Sequence, residues 1–137
     1  MSDAERSVVW TALNVLLALM FAFSVAVQYN DPDPVRWMAI YGAALAVSIL
    51  EVRRRTPLWL PVVVALVALA WAATIAPRVI GHVRFLDMFS AFEMKNEGVE
   101  ESREMYGLLI VAAWMAVVLP LAARRRSGSA RAIAGTQ

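Results

Sequence analysis

The chain contains no cysteine. Disulfides, thiolate metal centres, iron–sulfur clusters and thiol nucleophiles are excluded together. A single histidine, His82, means that one copy cannot supply two imidazoles to a zinc ion or a haem. Charge is sparse: Asp, Glu, Lys and Arg make up 18% of the residues and leave a net of only +2, too small a surplus for nucleic acid as a partner. No P-loop, glycine-rich dinucleotide turn, HExxH or Gly-x-Ser-x-Gly pattern occurs, so no catalytic residue is assigned. What the chain has is apolar surface. Hydrophobic residues reach 61% of 137, against about 45–50% in soluble domains, which points to a membrane.

Four runs are long enough to cross about 30 Å of hydrocarbon, which takes about 20 apolar residues. They cover residues 8–27, 35–52, 58–77 and 105–123. Arg36 and Glu51 fall at the ends of the second run, where side chains can snorkel to the interface. Pro57 and Pro61 fall at the start of the third, where a missing donor does little harm. The first run reads as a span rather than a signal peptide. Asp3 and Glu5 offset Arg6 before it, and it exceeds the roughly 7–15 residues of a signal core. The expected organisation is a short tail (1–7), a four-span domain (8–123) and a disordered basic tail (124–137). Between spans three and four, Phe85, Met88, Phe89 and Phe92 recur at helical spacing, and Ser90 with Glu93 fits a capping box. This predicts a short amphipathic helix at the interface. The fold class is all-α, an integral membrane four-helix bundle.

Basic residues assign the sides. Arg6, Arg53–Arg55, Arg124–Arg126 and Arg131 share one side with only Asp3, Glu5 and Glu51, a net of +5; the other side carries −3. The positive-inside rule then puts both termini in the cytoplasm. The Ala- and Arg-rich composition points to a bacterial inner membrane.

Two acidic segments open returning helices on the outer side. The first is Gln28-Tyr29-Asn30-Asp31-Pro32-Asp33-Pro34. Asp33 suits an N-cap with Pro34 at the first helical position, and Asn30 and Asp31 suit an Asx turn. The same oxygens also suit a hard cation. The second segment carries Glu97, Glu100, Glu101 and Glu104. Like charges at this spacing repel by roughly 0.2–0.5 kcal/mol per pair, so a helix N-terminus, an arginine or a cation must offset them. We expect the segments to meet at one mouth. Arg103 would bridge them, or Asn30, Asp31, Asp33, Glu101 and Glu104 would hold Ca²⁺ or a similar ion.

Polar residues also line the spans. Asn14, Ser24 and Gln28 fall within about an 80° arc, and Trp37, Tyr41, Ala44 and Ser48 form a second stripe. Both should face the interior, as interhelical glue or as a pocket lining, with Leu16, Leu19 and Phe23 toward lipid or a neighbouring helix. His82 reads as a solvated or loop-bonded residue, with metal, pigment or haem ligation as the other reading.

The turn from Gln28 to Asp33 with Trp37 and Tyr41, and the segment Glu100-Glu101-Ser102-Arg103-Glu104-Met105-Tyr106-Gly107-Leu108, resemble the transmembrane protein 220 family. The resemblance implies a four-helix topology and importance for the two outer motifs. It supplies no activity. Three functions remain open: a non-enzymatic binding or structural module with an acidic outer site, an accessory subunit of a larger membrane complex, or an enzyme on a lipid-like substrate. Beyond the lipid bilayer, the partner would be another membrane protein or a second copy.

Overall fold

The computed structural model describes residues 2–82 and 97–134. The amphipathic helix expected between spans three and four lies outside them. Four helices are present: α1 (Asp3–Val27), α2 (Pro34–Val52), α3 (Trp59–Val79) and α4 (Glu97–Ala134). All four are long and apolar enough to cross a membrane.

Local chemistry sets the ends. Ser2 and Glu5 form a capping box at the start of α1. Pro34 opens α2 at a position whose N–H would have no helical partner. Pro61 lies in the first turn of α3 for the same reason. Two residues past the end of α2, Arg54 has a φ of 55°, which puts a non-glycine residue in the left-handed region.

One boundary differs from expectation. Alpha-4 runs 38 residues to Ala134, through the basic cluster and into the tail that composition assigned to disorder. Ala and Arg are strong helix formers, and extending an existing helix needs no new nucleus. At 1.5 Å per residue α4 is about 57 Å long, so it projects well beyond the hydrocarbon.

Alpha-1 packs along α2 and α3 along α4, while α2 also meets α3 and α4. Small residues make the close approaches: Ala44 and Ala68 are fully buried, with Ala72 and Ala112 nearly so. Phe21, Val47, Leu108, Val111, Met115 and Val118 fill the rest of the core. Leu16, Leu19 and Phe23 are 61–68% exposed on the outer face of α1. Asn14, Trp37 and Tyr41 face inward, and Gln28 is half-buried.

The interhelical polar bonds are not made by Asn14. Its Nδ2 donates to Trp10 O within α1 (2.9 Å), and its buried Oδ1 meets no partner among the described residues. Instead the Trp114 indole of α4 donates to Ser48 Oγ of α2 (3.0 Å), and Trp10 stacks on Trp114 at 5.4 Å. Alpha-1 is the least enclosed helix, with only Asn14 and Phe21 buried.

Candidate functional site

Alpha-1 tightens into a 3₁₀ turn over Gln28–Asn30, and the chain then straightens at Asp31 (ψ 148°). A residue before proline is pushed out of the helical region, and Pro32 follows. Asp31 Oδ1 accepts from Asp33 N (2.9 Å), closing an Asx turn. Asp33 occupies the N-cap position of α2, yet its side chain makes no capping bond there. It pairs with Arg36 instead, a cation three residues on and on the same helical face.

Alpha-4 begins opposite this turn. Glu100 and Glu104 are four residues apart and share a face. Glu101 is rotated by about 100° from Glu100 and pairs with Arg78 of α3. Ligand oxygens of Asp31, Glu100 and Glu104 all lie within 4.8 Å of one another. The five residues expected to share an ion are thus divided. Asp31 and Glu104 lie together, Asp33 and Glu101 are held by arginines, and Asn30 is exposed. Glu100 takes the third place. Arg78, in the last turn of α3, is the cation that joins α3 to the acidic start of α4.

The three carboxylates open on a cavity of about 170 Å³, lined also by Gln28, Trp37, Tyr41 and Arg103. Gln28, Trp37, Tyr41 and Arg103, the residues expected to join the hairpins, therefore share one wall system. A second groove of about 290 Å³ adjoins it through Trp37 and Glu104 and reaches Asp33, Arg36 and Arg78. Trp37 is fixed by stacking on Trp71 (4.3 Å) and Tyr41 (6.2 Å). His82 is exposed, with Nδ1 3.2 Å from Ile80 O, a contact within its own loop.

Gly107 leaves room for the hydroxyl of Tyr41, which lines the cavity. A Cβ there would overlap the Tyr41 hydroxyl, while the ring carbon bearing it stays 3.4 Å away. Gly107→Ala is therefore expected to destabilise the bundle by about 1–3 kcal/mol, despite the better helix propensity of alanine. Tyr41→Phe in the same chain should recover most of that loss, because it removes the overlapping atom. Thermal unfolding of the single and double variants in detergent measures both effects.

The residue that sequence reasoning placed wrongly is Glu51. It does not snorkel: its side chain is fully buried and pairs with Arg125 of α4. Its carboxylate also accepts from Thr56 Oγ1 (2.6 Å) and Trp10 Nε1 (3.2 Å), so residues of α1, α2, α4 and the α2–α3 loop meet on it. The signal was present. Glu51 continues the inward stripe of Trp37, Tyr41, Ala44 and Ser48 by the next helical step.

Four membrane-length helices, closed at one end by ion pairs and an acidic mouth, define an integral membrane helical bundle. The chain belongs to transmembrane family 220: residues 20–119 match the family described as "Transmembrane family 220, helix". Transmembrane protein 220 of Xenopus laevis is 32% identical over 111 residues, covering 81% of this chain and 59% of that relative. The chain thus spans about three-fifths of the length of the curated relative. No solved structure matches.

Proposed function

We propose that the protein is a non-enzymatic membrane module whose outer mouth holds a hard divalent cation such as Ca²⁺. One observation carries the reading: oxygens of Asp31, Glu100 and Glu104 within 4.8 Å of one another. Bonds of about 2.3–2.6 Å let one Ca²⁺ bridge oxygens up to about 5 Å apart. Three carboxylates against the guanidinium of Arg103 leave a surplus of two negative charges, matched to a divalent ion. Gln28 adds a neutral carbonyl oxygen of the kind Ca²⁺ accepts. Bound there, the ion would tie the α1–α2 turn to the start of α4. Titration calorimetry of Ca²⁺ into the full chain in neutral detergent tests this. One ion per chain supports the reading, and absence of saturable heat contradicts it.

The same reading places both termini in the cytoplasm, from the arginine asymmetry, and the mouth outside. Composition favours a bacterial inner membrane, while the named relative is from an animal. Because the chain has no cysteine, single introduced thiols report orientation cleanly. In intact cells an impermeant reagent should label Tyr29→Cys and spare Ser127→Cys, both exposed positions; the reverse pattern overturns the orientation.

A second reading, an accessory subunit or a homo-oligomer, is favoured by α1, where Leu16, Leu19 and Phe23 are exposed and only two residues are buried. A mass measurement after mild extraction separates the readings: a stoichiometric complex supports the second, a single chain the first.

A further inference from the structure

The end of the bundle that carries the α2–α3 loop has its own cleft, of about 520 Å³. It is lined by Arg54, Thr56, Ala122, Arg125, Arg126 and Gly128. Three guanidinium groups therefore share one concavity, with no acid among its described lining residues. Each is held by a specific partner. Arg54 Nη2 donates to Ser7 Oγ (2.7 Å), and Arg126 Nη2 donates to Thr56 O (3.1 Å). Arg125 pairs with the buried Glu51 behind the wall. The anchors of Arg54 and Arg126 are neutral, and each of these two bonds engages a single nitrogen of a group that carries five N–H donors. With Glu51 counted, the cleft keeps a surplus of two positive charges.

Two further observations bear on its purpose. Arg54 sits at φ 55°, a helix-terminating position that glycine occupies with less cost. Alpha-2, a membrane-length helix, ends just before the cleft, and Trp59, three residues past Thr56, is 64% exposed, the pattern of a tryptophan at a membrane interface.

We propose that this cleft binds a phosphate group, either on an anionic lipid headgroup or as free phosphate. Guanidinium forks match pairs of phosphate oxygens, and basic pockets between spans are suited to anionic headgroups. The inference is independent of the cation reading, since it lies at the other end of α2 and uses none of the same residues.

The test follows melting of the full chain in neutral detergent with dihexanoyl phosphatidic acid, dihexanoyl phosphatidylcholine, sodium phosphate, or sodium chloride at equal ionic strength. Phosphatidic acid should raise the melting temperature saturably, and phosphatidylcholine and chloride should not. Arg54→Gly and Arg126→Gln should each weaken the apparent affinity by about fivefold, the effect of one basic group near an anionic headgroup. Arg54→Gly also relaxes the backbone at that position, so the fold is retained. Arg55→Gln, an equal change of charge outside the cleft, should leave affinity unchanged. Saturation by inorganic phosphate at the same concentration assigns the site to the free anion; a requirement for at least tenfold more assigns it to the lipid. The proposal is overturned if neither phosphate source stabilises the protein saturably. It is equally overturned if the two cleft variants bind like the parent, or if Arg55→Gln weakens binding as much as they do.

Discussion

Replacing Glu51 by alanine should cost about 3–5 kcal/mol of unfolding free energy, the range for breaking a buried ion pair from one side. The side chain is fully enclosed, and three donors from three parts of the chain converge on it. Its removal leaves the Trp10 indole, the Thr56 hydroxyl and the Arg125 guanidinium without their acceptor at once. Arg125 is 30% exposed and can turn partly to water, which favours the lower end of that range. Glu51→Gln should be milder, since an amide oxygen still accepts from Trp10 and Thr56. Arg125→Gln alone should be severe, because it leaves a buried carboxylate without its counter-charge. The double variant Glu51→Gln/Arg125→Gln should then be more stable than Arg125→Gln. Reversible unfolding in detergent measures all four. A Glu51→Ala protein within 0.5 kcal/mol of the parent contradicts this account of the basic end.

Removing one carboxylate from the mouth should lower Ca²⁺ affinity by on the order of 100-fold. Altering a group that merely supports a metal ligand typically costs 10–100-fold, and a ligand itself should cost no less. Glu104→Gln and Asp31→Asn are the informative variants, because each keeps the side-chain volume and removes the charge. Without added ion their effect should reverse. Glu100 and Glu104 are like charges one helical turn apart, so Glu100→Gln should stabilise the ion-free protein by about 0.2–0.5 kcal/mol. A mouth made only of helix caps would lose stability, or change little, under both conditions. Calorimetry for affinity and thermal unfolding in chelator for stability read the two signs separately.

The spans were legible because apolar run length is nearly sufficient to define a membrane helix, and the helices of residues 3–27, 34–52 and 59–79 lie close to the expected runs. The inward faces of α1 and α2 were legible from polar periodicity, which placed Asn14, Trp37 and Tyr41 correctly. Pairing choices were not. Asp33 and Glu101 look equivalent to Asp31 and Glu104 in sequence, and only the positions of Arg36 and Arg78 separate them. Arg36 is local and could have been weighed. Arg78 lies 23 residues from Glu101, and no periodicity reports which helices are neighbours. Glu51 was misplaced because its nearness to the span end outweighed its register on the helix. The helix through Ala134 was not legible, because Ser, Gly and Arg suggest solvent exposure, and exposure does not prevent a long helix from continuing.

The most direct test of the cation reading is the melting of the parent and of Asp31→Asn/Glu104→Gln, each with saturating Ca²⁺ and with a chelator. An ion bound only to the folded state adds about 2.7 kcal/mol at a hundredfold excess over its Kd. The parent should therefore melt markedly higher in Ca²⁺ than in chelator, and the double variant should melt at the same temperature in both. A parent protein indifferent to Ca²⁺, or a double variant stabilised as much as the parent, would contradict the account.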